Sequence, residues 1–297
     1  MPYDAIIIGG SFAGLSAAMQ LVRARRPVLL IDAGLPRNRF AKAAHGFLGQ
    51  DGVAPAAIVA EGLKQLRAYP TVAVHHGVAT AAAGEHERFT VSLGDGGEKA
   101  ARRLILATGV RDVLPSIPGL DERWGESVLH CPYCHGYEVA GRPLGVLANH
   151  ARADEQALLI ADWGPTTLFT QGRLELSEAA RGRLAERGVA IELIPVVALL
   201  GPAPALDAVR LADGRTVPLG ALFTAPQTQM ASPLAEQLGC AVDEGHTGPH
   251  LRVDEWKQTT VPGVYAAGDA AAAMHNATMA SAAGVLAGVG AHHSLLG

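Results

Sequence analysis

Residues 3–34 read YDAIIIGGSFAGLSAAMQLVRARRPVLLIDAG, and no other stretch limits the fold so tightly. A short β-branched run, a stretch of helical character and a second apolar run follow one another with only a turn between them, which predicts a strand–helix–strand unit. The turn carries Gly9, Gly10, Ser11, Phe12, Ala13 and Gly14, and Asp32 closes the second strand 18 residues after Gly14. Glycines in that place permit a tight turn, close approach of a pyrophosphate to the backbone and tight helix–strand packing, while the helix N-terminus faces the phosphate charge. The Asp32 carboxylate is placed to accept from a ribose hydroxyl. Ser11 stands where the middle glycine of such a turn is usual, a departure that keeps the side chain small.

Further along, APAAIVAEGLKQLRAY predicts a helix and TVAVHHGVAT a strand, and RFTVSLGDGGEKAARRLILATG pairs two apolar runs across a glycine-rich turn. Breakers in VRDVLPSIPGL put a domain crossing near Pro118. A second α/β pattern then begins: PLGVLA (strand), ADEQALLIADW (helix), TTLFTQG (strand), SEAARGRLAERG (helix), VAIELIP (strand), a hairpin on Asp213-Gly214, and GALFTAP (strand). The C-terminal segment returns to a strand ending in Gly268-Asp269 and an Ala/Gly-rich helix. The expected fold class is α/β, with two nested, doubly wound, three-layer Rossmann-like dinucleotide-binding domains. Residues 1–117 and 246–297 would form the first, and residues 118–245 the insert.

Composition excludes several classes. A chain of 297 residues with 49% hydrophobic side chains has ample material for two buried cores, and a net charge of −4 argues against a nucleic-acid partner. The basic run Arg23 to Arg26 ends a predicted helix, where cations complement the helix dipole. The Ala/Gly-rich run from Ala270 to Gly290 approaches membrane-spanning length, but His275, Asn276 and Thr278 and its weak hydrophobicity favour a close-packed buried helix. The N-terminus enters a strand at once, with no basic leader. The expectation is a cytoplasmic protein with no membrane segment.

HCPYCHGYE, His130 to Glu138, places two of the three cysteines and two histidines within six residues. In a reducing compartment such a pair is catalytic or metal-binding more often than a structural staple. Zinc is disfavoured because contiguous ligands cannot all aim at one tetrahedral centre, and no second CxxC exists; no metal is expected. Two thiols at a helix start can close a small ring, and the helix dipole lowers a thiol pKa. Cys240, alone in EQLGC, reads as a buried inert thiol.

Two short motifs point to the ligand of the first domain. ILATG, with Ala107, Thr108 and Gly109, and GVYAAGDA, with Gly268 and Asp269, resemble the segments with which flavin disulfide reductases close an FAD site. With the dithiol at the start of the nested domain, nearly the whole chain resembles the low-molecular-weight thioredoxin reductase family. That resemblance implies FAD as cofactor, a homodimer, Cys134 as the thiol next to the flavin and Cys131 as the thiol that exchanges with an external disulfide. It implies that Asp269 bonds a ribityl hydroxyl, that Arg39 and His45 touch the cofactor from the loop LPRNRFAKAAHGFLGQDG, and that Ala33, Val78 and Thr278 complete the cofactor contacts. His130 has no family role and reads as structural. His135 departs from the aspartate usual after the pair, and CPYCHGYE resembles the dithiol oxidases that close the disulfides of gliotoxin, holomycin and related natural products. An imidazole there can take and return a thiol proton.

The nested domain lacks what NADPH would need. Ala148, His150 and Ala153 occupy the three glycine positions of its turn, Asn149 and His150 fill pyrophosphate space, and Thr170, Gln171 and Gly172 replace the basic cluster that reads a 2′-phosphate. The expectation is an FAD-dependent thiol–disulfide oxidoreductase that passes electrons from a small dithiol through Cys131 and Cys134 to oxygen without NADPH. The alternatives are a reductase of thioredoxin-like proteins fed by ferredoxin or by atypical NAD(P)H binding, and a redox-sensing flavoprotein without turnover.

Overall fold

A computed structural model describes residues 3–297. The elements run β1 (Tyr3–Ile8), α1 (Phe12–Arg23), β2 (Val28–Asp32), α2 (Pro55–Arg67), β3 (Val72–His76), β4 (Ala79–Glu85), β5 (Arg88–Leu93), β6 (Glu98–Leu106) and β7 (Val110–Val113). Next come β8 (Val128–Leu129), α3 (Pro132–His135), β9 (Leu144–Leu147), α4 (Ala153–Ile160), β10 (Thr166–Phe169), α5 (Glu178–Glu186), β11 (Ala190–Glu192), β12 (Val196–Leu200), β13 (Ala208–Leu211), β14 (Thr216–Pro218) and β15 (Ala221–Phe223). The chain closes with β16 (Gln227–Met230), α6 (Leu234–Gln237), β17 (Val242–Glu244), β18 (Pro249–Leu251), β19 (Val264–Ala266) and α7 (Ala277–His293). No helix among the described residues is long and apolar enough to cross a membrane.

Two compact units result. Met1–Arg39, Pro55–Asp112 and Thr228–Gly297 form the first, and Phe40–Ala54 and Val113–Gln227 the second. The crossings therefore fall at 112/113 and 227/228, where the sequence reading puts them at 117/118, on breaker residues, and at 245/246, and the segment 40–54 joins the second unit. Side-chain packing explains both differences. Leu234, Ala235 and Cys240 bury in one core with Phe89 and Val91, and Gln237 Oε1 accepts from the Ala82 N–H at 3.0 Å, so the chain after Gln227 belongs to the first unit. Phe40 packs against Gly125, where a Cβ would lie 2.7 Å from the Phe40 Cβ, and Lys42 pairs with Glu126.

In the first unit the strand order is β3-β2-β1-β6-β5-β4, with β19 also pairing β6. β1, β2, β3, β6 and β19 run parallel, whereas β4, β5 and β6 are joined antiparallel. The stretch read as one strand, TVAVHHGVAT, breaks at Gly77-Val78 into β3 and β4, which lie at opposite ends of the sheet. Helices α1, α2 and α7 contribute to the core on one face of this sheet, and β4 and β5 contribute to the core that includes Leu234 and Leu251. The fold is three-layered α/β as read, with a β-meander as the third layer.

Helix α7 meets α1 backbone to backbone. A Cβ on Gly284 would lie 2.1 Å from the Ala13 carbonyl oxygen, and one on Gly288 2.6 Å from that of Ala17. Small residues of α1, Ala13, Gly14, Ala17 and Ala18, form the matching stripe. The Ala/Gly-rich C-terminus is thus a packing surface for the dinucleotide-type helix. Arg103 of β6 is fully buried beside it; its Nε donates to Ser294 Oγ at 2.7 Å and its Nη1 to Glu87 Oε1 at 2.5 Å.

The second unit is a parallel five-stranded sheet, β11-β10-β9-β15-β8. Helices α4 and α5 cover one face, with Ala153, Ala157, Ile160 and Leu184 buried against Leu144, Val146 and Phe223. A meander of β12, β13 and β14 covers the other, with Val196, Val209 and Leu211 against Val128, Leu147 and Leu222. Strand β8 delivers the chain directly to the dithiol.

Two helical glycines should respond to substitution with opposite sign. Gly284→Val, forced into the Ala13 carbonyl, should cost about 3 kcal/mol or more, whereas Gly182→Ala, in α5 with no atom within 4 Å of its Cβ position, should stabilise by about 0.5–1 kcal/mol. Urea denaturation midpoints check both.

Candidate active site

The second unit holds a compact acid–base and sulfur cluster. Cys131 is extended and precedes the single turn of α3, so both thiols come to one side. Both are free and half-buried, with Sγ atoms 2.7 Å apart and the Cys134 thiol donating to Cys131. That hydrogen bond is the main influence lowering Cys131 to about 7, opposed by burial and helped by the N–H groups of Cys134 and Tyr133. Cys134 moves up for the complementary reasons: its proton is held by Cys131, it is desolvated, and it faces the Cys131 charge. The pair is therefore asymmetric, one thiolate-forming sulfur and one proton-holding sulfur. A one-turn helix contributes only its nearest N–H groups, so these atoms and not a long helix dipole set the difference.

His135 ends the same turn. Burial lowers its pKa; Glu138 acts to raise it and His45 to lower it further, so the imidazole is neutral at pH 7. His45, read from sequence as a cofactor contact of the first domain, sits instead in the second unit. Its Nε2 lies 3.5 Å from Glu138 Oε1 and its Nδ1 3.5 Å from Asp51 Oδ1. Sequence reading passed over Glu138 and Asp51, since lone acids in loops carry no spacing signal. The Tyr133 ring stands edge-on to Trp163 at 5.8 Å, and Tyr133 and Tyr137 are exposed. His130 is half-buried. Among the described residues no group of three or more His, Cys, Asp or Glu side chains is arranged to hold a metal ion. Cys240 is buried, its thiol pushed up by desolvation.

In the first unit the glycine turn is closed on itself. A Cβ on Gly9, whose φ is +109°, would strike the Ala107 carbonyl oxygen at 2.1 Å, and one on Gly14 the Gly9 oxygen at 1.8 Å. Thr108 and Gly109 continue from that strand end. Asp32 Oδ1 accepts the Gly10 N–H at 3.1 Å. The first turn of α1 holds no acid, and Ser11 makes no side-chain cap bond, so Phe12 and Ala13 begin a helix whose N-terminus is free of its own anions. Gly268 packs against Ala13. Asp269 accepts from Arg37 Nη1 at 2.8 Å, and Arg37 also binds Asp112 through Nε at 3.0 Å. Sequence reading chose Arg39, but that side chain is exposed and turns back to the Pro36 carbonyl at 3.0 Å. Ala33 and Val78 are exposed. Thr278, also exposed, starts α7, where Asn276 Oδ1 accepts its N–H at 2.8 Å.

The corresponding turn of the second unit is built the opposite way. Ala148 and Ala153 are buried, and Asn149 Nδ2 donates to the Ala225 carbonyl at 2.8 Å, tying the turn to the end of β15. His150 Nδ1 accepts the Arg152 N–H at 3.3 Å, and Nε2 meets Gln156 Oε1 at 3.2 Å. Asp154 and Glu155 fill the first turn of α4 with negative charge. Beyond β10, Thr170 is buried, Gln171 turns inward to accept the Val196 N–H at 3.1 Å, and Gly172 carries no side chain.

A free dithiol at a strand end in one α/β unit and a glycine-closed dinucleotide turn in another define a disulfide oxidoreductase built on two nucleotide-type domains. The chain belongs to the pyridine nucleotide-disulphide oxidoreductase family, whose model matches residues 3–284. It is 32% identical over 312 residues to thioredoxin reductase sirT of Leptosphaeria maculans, covering 99% of this chain and 95% of the relative. To thioredoxin reductase tcpT of Claviceps purpurea it is 34% identical over 310 residues, covering 99% and 94%. The crystal structure of an oxidoreductase from Agrobacterium tumefaciens matches with a TM-score of 0.96 at 48% identity, over 100% of this chain and 99% of that one. The protein is an oxidoreductase of thioredoxin reductase-like type.

In the reduced protein, iodoacetamide should alkylate Cys131 with an apparent pKa of about 7. Cys134→Ala removes the donated hydrogen bond and should move that value up toward the ordinary thiol range of about 8.5. Peptide mapping across a pH series reads both.

Proposed function

We propose that the protein is an FAD-dependent dithiol oxidase that works without NADPH. The observation that carries this reading is the contrast between the two strand–helix turns. The α1 turn is glycine-lined and free of acid at the helix start, as a pyrophosphate requires. The α4 turn has His150 accepting an N–H at the helix start and two acids beside it. Glu155 is paired with Arg152 and Asp154 lies 3.6 Å from Arg183, so a dinucleotide phosphate entering there would have to displace existing ion pairs and meet an occupied donor.

The residues of the first unit fit FAD. Gly9, Ser11, Ala13 and Gly14 would face its pyrophosphate, Asp32 its ribose, and Asp269, steadied by Arg37, its ribityl chain, with Ala107, Thr108 and Gly109 alongside. Bound there, FAD would supply a two-electron acceptor able to hand electrons on to dioxygen. The chain's own residues do the sulfur chemistry. A substrate thiolate attacks Cys131 of the closed disulfide, and the departing Cys134 sulfur takes up a proton, the protonated state that its raised pKa favours. The second substrate thiol then attacks the mixed disulfide, and Cys131 leaves as a thiolate, which its pKa of about 7 favours. His135, held neutral by burial, accepts the substrate proton. Exposed Tyr133 and Tyr137 offer apolar surface beside the thiols to a small organic dithiol.

A second reading is a reductase of thioredoxin-like proteins fed by ferredoxin or by unusual NAD(P)H binding. The names of the relatives, thioredoxin reductases sirT and tcpT, favour it. Anaerobic titration of the flavin separates the two. Excess NADPH should leave the visible absorption intact, a dithiol should bleach it, and air should restore it; fast stoichiometric bleaching by NADPH sinks the oxidase reading. Turnover of oxidised thioredoxin with reduced ferredoxin would establish the reductase.

A further inference from the structure

The loop Phe40–Ala54 folds on itself and carries an imidazole to the dithiol turn. Ala44 N–H donates to Val53 O at 2.8 Å, Gly52 N–H to Ala44 O at 2.8 Å, Gln50 N–H to Phe47 O at 2.8 Å and Gly46 N–H to Asp51 Oδ1 at 2.9 Å. These bonds fix His45 so that each ring nitrogen faces a carboxylate at 3.5 Å, Nε2 toward Glu138 and Nδ1 toward Asp51. Along this line the Glu138 side chain is 42% exposed, His45 23% and Asp51 70%, so the line passes a half-buried imidazole and ends at its most solvent-open group. An imidazole between two carboxylates receives a proton on one nitrogen and releases one from the other, and a 3.5 Å separation is spanned by a slight closure or one water. Lys42, the loop's one cation, pairs with Glu126, and His130, half-buried, precedes Cys131. The short helical turns beside the thiols add only Tyr133 and Tyr137, which are exposed.

We propose that Glu138 and His45 form the proton outlet of the dithiol centre, carrying the proton that His135 takes from a thiol to Asp51 and solvent. The proposal rests on the reading of Cys131 and Cys134 as an exchange site. The balance requires such an outlet. When a dithiol closes to a disulfide, two S–H bonds and the enzyme S–S bond break and one substrate S–S bond forms. The enzyme sulfurs gain the electron pair, Cys134 keeps one proton, Cys131 leaves as thiolate, and one proton remains to be removed at every exchange. His135 is placed to take it, and a half-buried imidazole must discharge before the next exchange. Glu138 and His45 are positioning and relay residues; neither touches the sulfur atoms in this account.

The test uses the FAD-loaded protein under nitrogen, with dithiothreitol as the dithiol and disulfide exchange followed by quenched thiol counting from pH 5.5 to 9. Glu138→Gln and His45→Gln should each slow exchange about tenfold at pH 7, with the loss recovered as pH rises and on addition of free imidazole. The Cys131 alkylation profile should be unchanged, a combination that loss of packing would not produce. Variants whose pH profiles superpose on the parent, or whose slowed exchange imidazole leaves untouched, would overturn the outlet. Because the assay needs neither oxygen nor NADPH, the two proposals fail separately. A parent protein that exchanges but consumes no oxygen removes the oxidase and leaves the outlet to be judged by its variants, whereas variants with parental profiles remove the outlet and leave the oxidase.

Discussion

A helix that follows a parallel strand presents unpaired N–H groups and half a positive charge at its start, and something negative must answer them. This chain answers in two ways. At α1 the glycines draw strand and helix so close that their backbones touch, and the first helical turn carries no acid of its own, the Asp32 carboxylate taking only the Gly10 N–H before it. At α4 the demand is met internally by His150, Asp154 and Glu155. Identical topology around the two turns makes the difference chemical and local. A handful of side chains separates the two turns.

The dithiol follows the same logic on a smaller scale. Two sulfurs 2.7 Å apart cannot ionise independently, and the geometry of one helical turn decides which keeps the proton. Because Cys131 also faces two peptide N–H groups, charge gathers on it, and Cys134 becomes the protonated member. The asymmetry is built into the fold: the sulfur that carries charge more readily is the one at the start of the turn. His135, on the same turn, is kept neutral by burial, so acid–base chemistry and sulfur chemistry share one short segment of backbone.

Much of this was legible before any coordinates. The strand periodicity of β1 and β2, the glycine turn and the CxxC are local patterns, and local patterns fix local structure. The loss of glycine at Ala148, His150 and Ala153 was equally readable, because a side chain excludes a phosphate wherever the fold puts it. What escaped was set by contacts distant in sequence. Arg37 outranks Arg39 only because Asp112 and Asp269 converge on it, and no spacing rule announces that. The resemblance puts the loop 35–52 beside the cofactor; in the structure its Phe40 and Lys42 find partners at Gly125 and Glu126, contacts that no local pattern announces. The strand β12 was missed because VVALL alternates too weakly to separate it from the preceding strand, and the domain crossing was drawn late because Leu234 and Cys240 look no different from insert residues until their core is known.

The embrace of α1 by α7 also bears on how the molecule comes into being. Arg103 reaches Ser294, 191 residues further on, and Gly284 rests on Ala13, so the first unit is closed by segments far apart in sequence. During synthesis the face of α1 that meets α7 can be covered only once residues 277–293 have emerged, whereas the second unit has all its segments by Gln227.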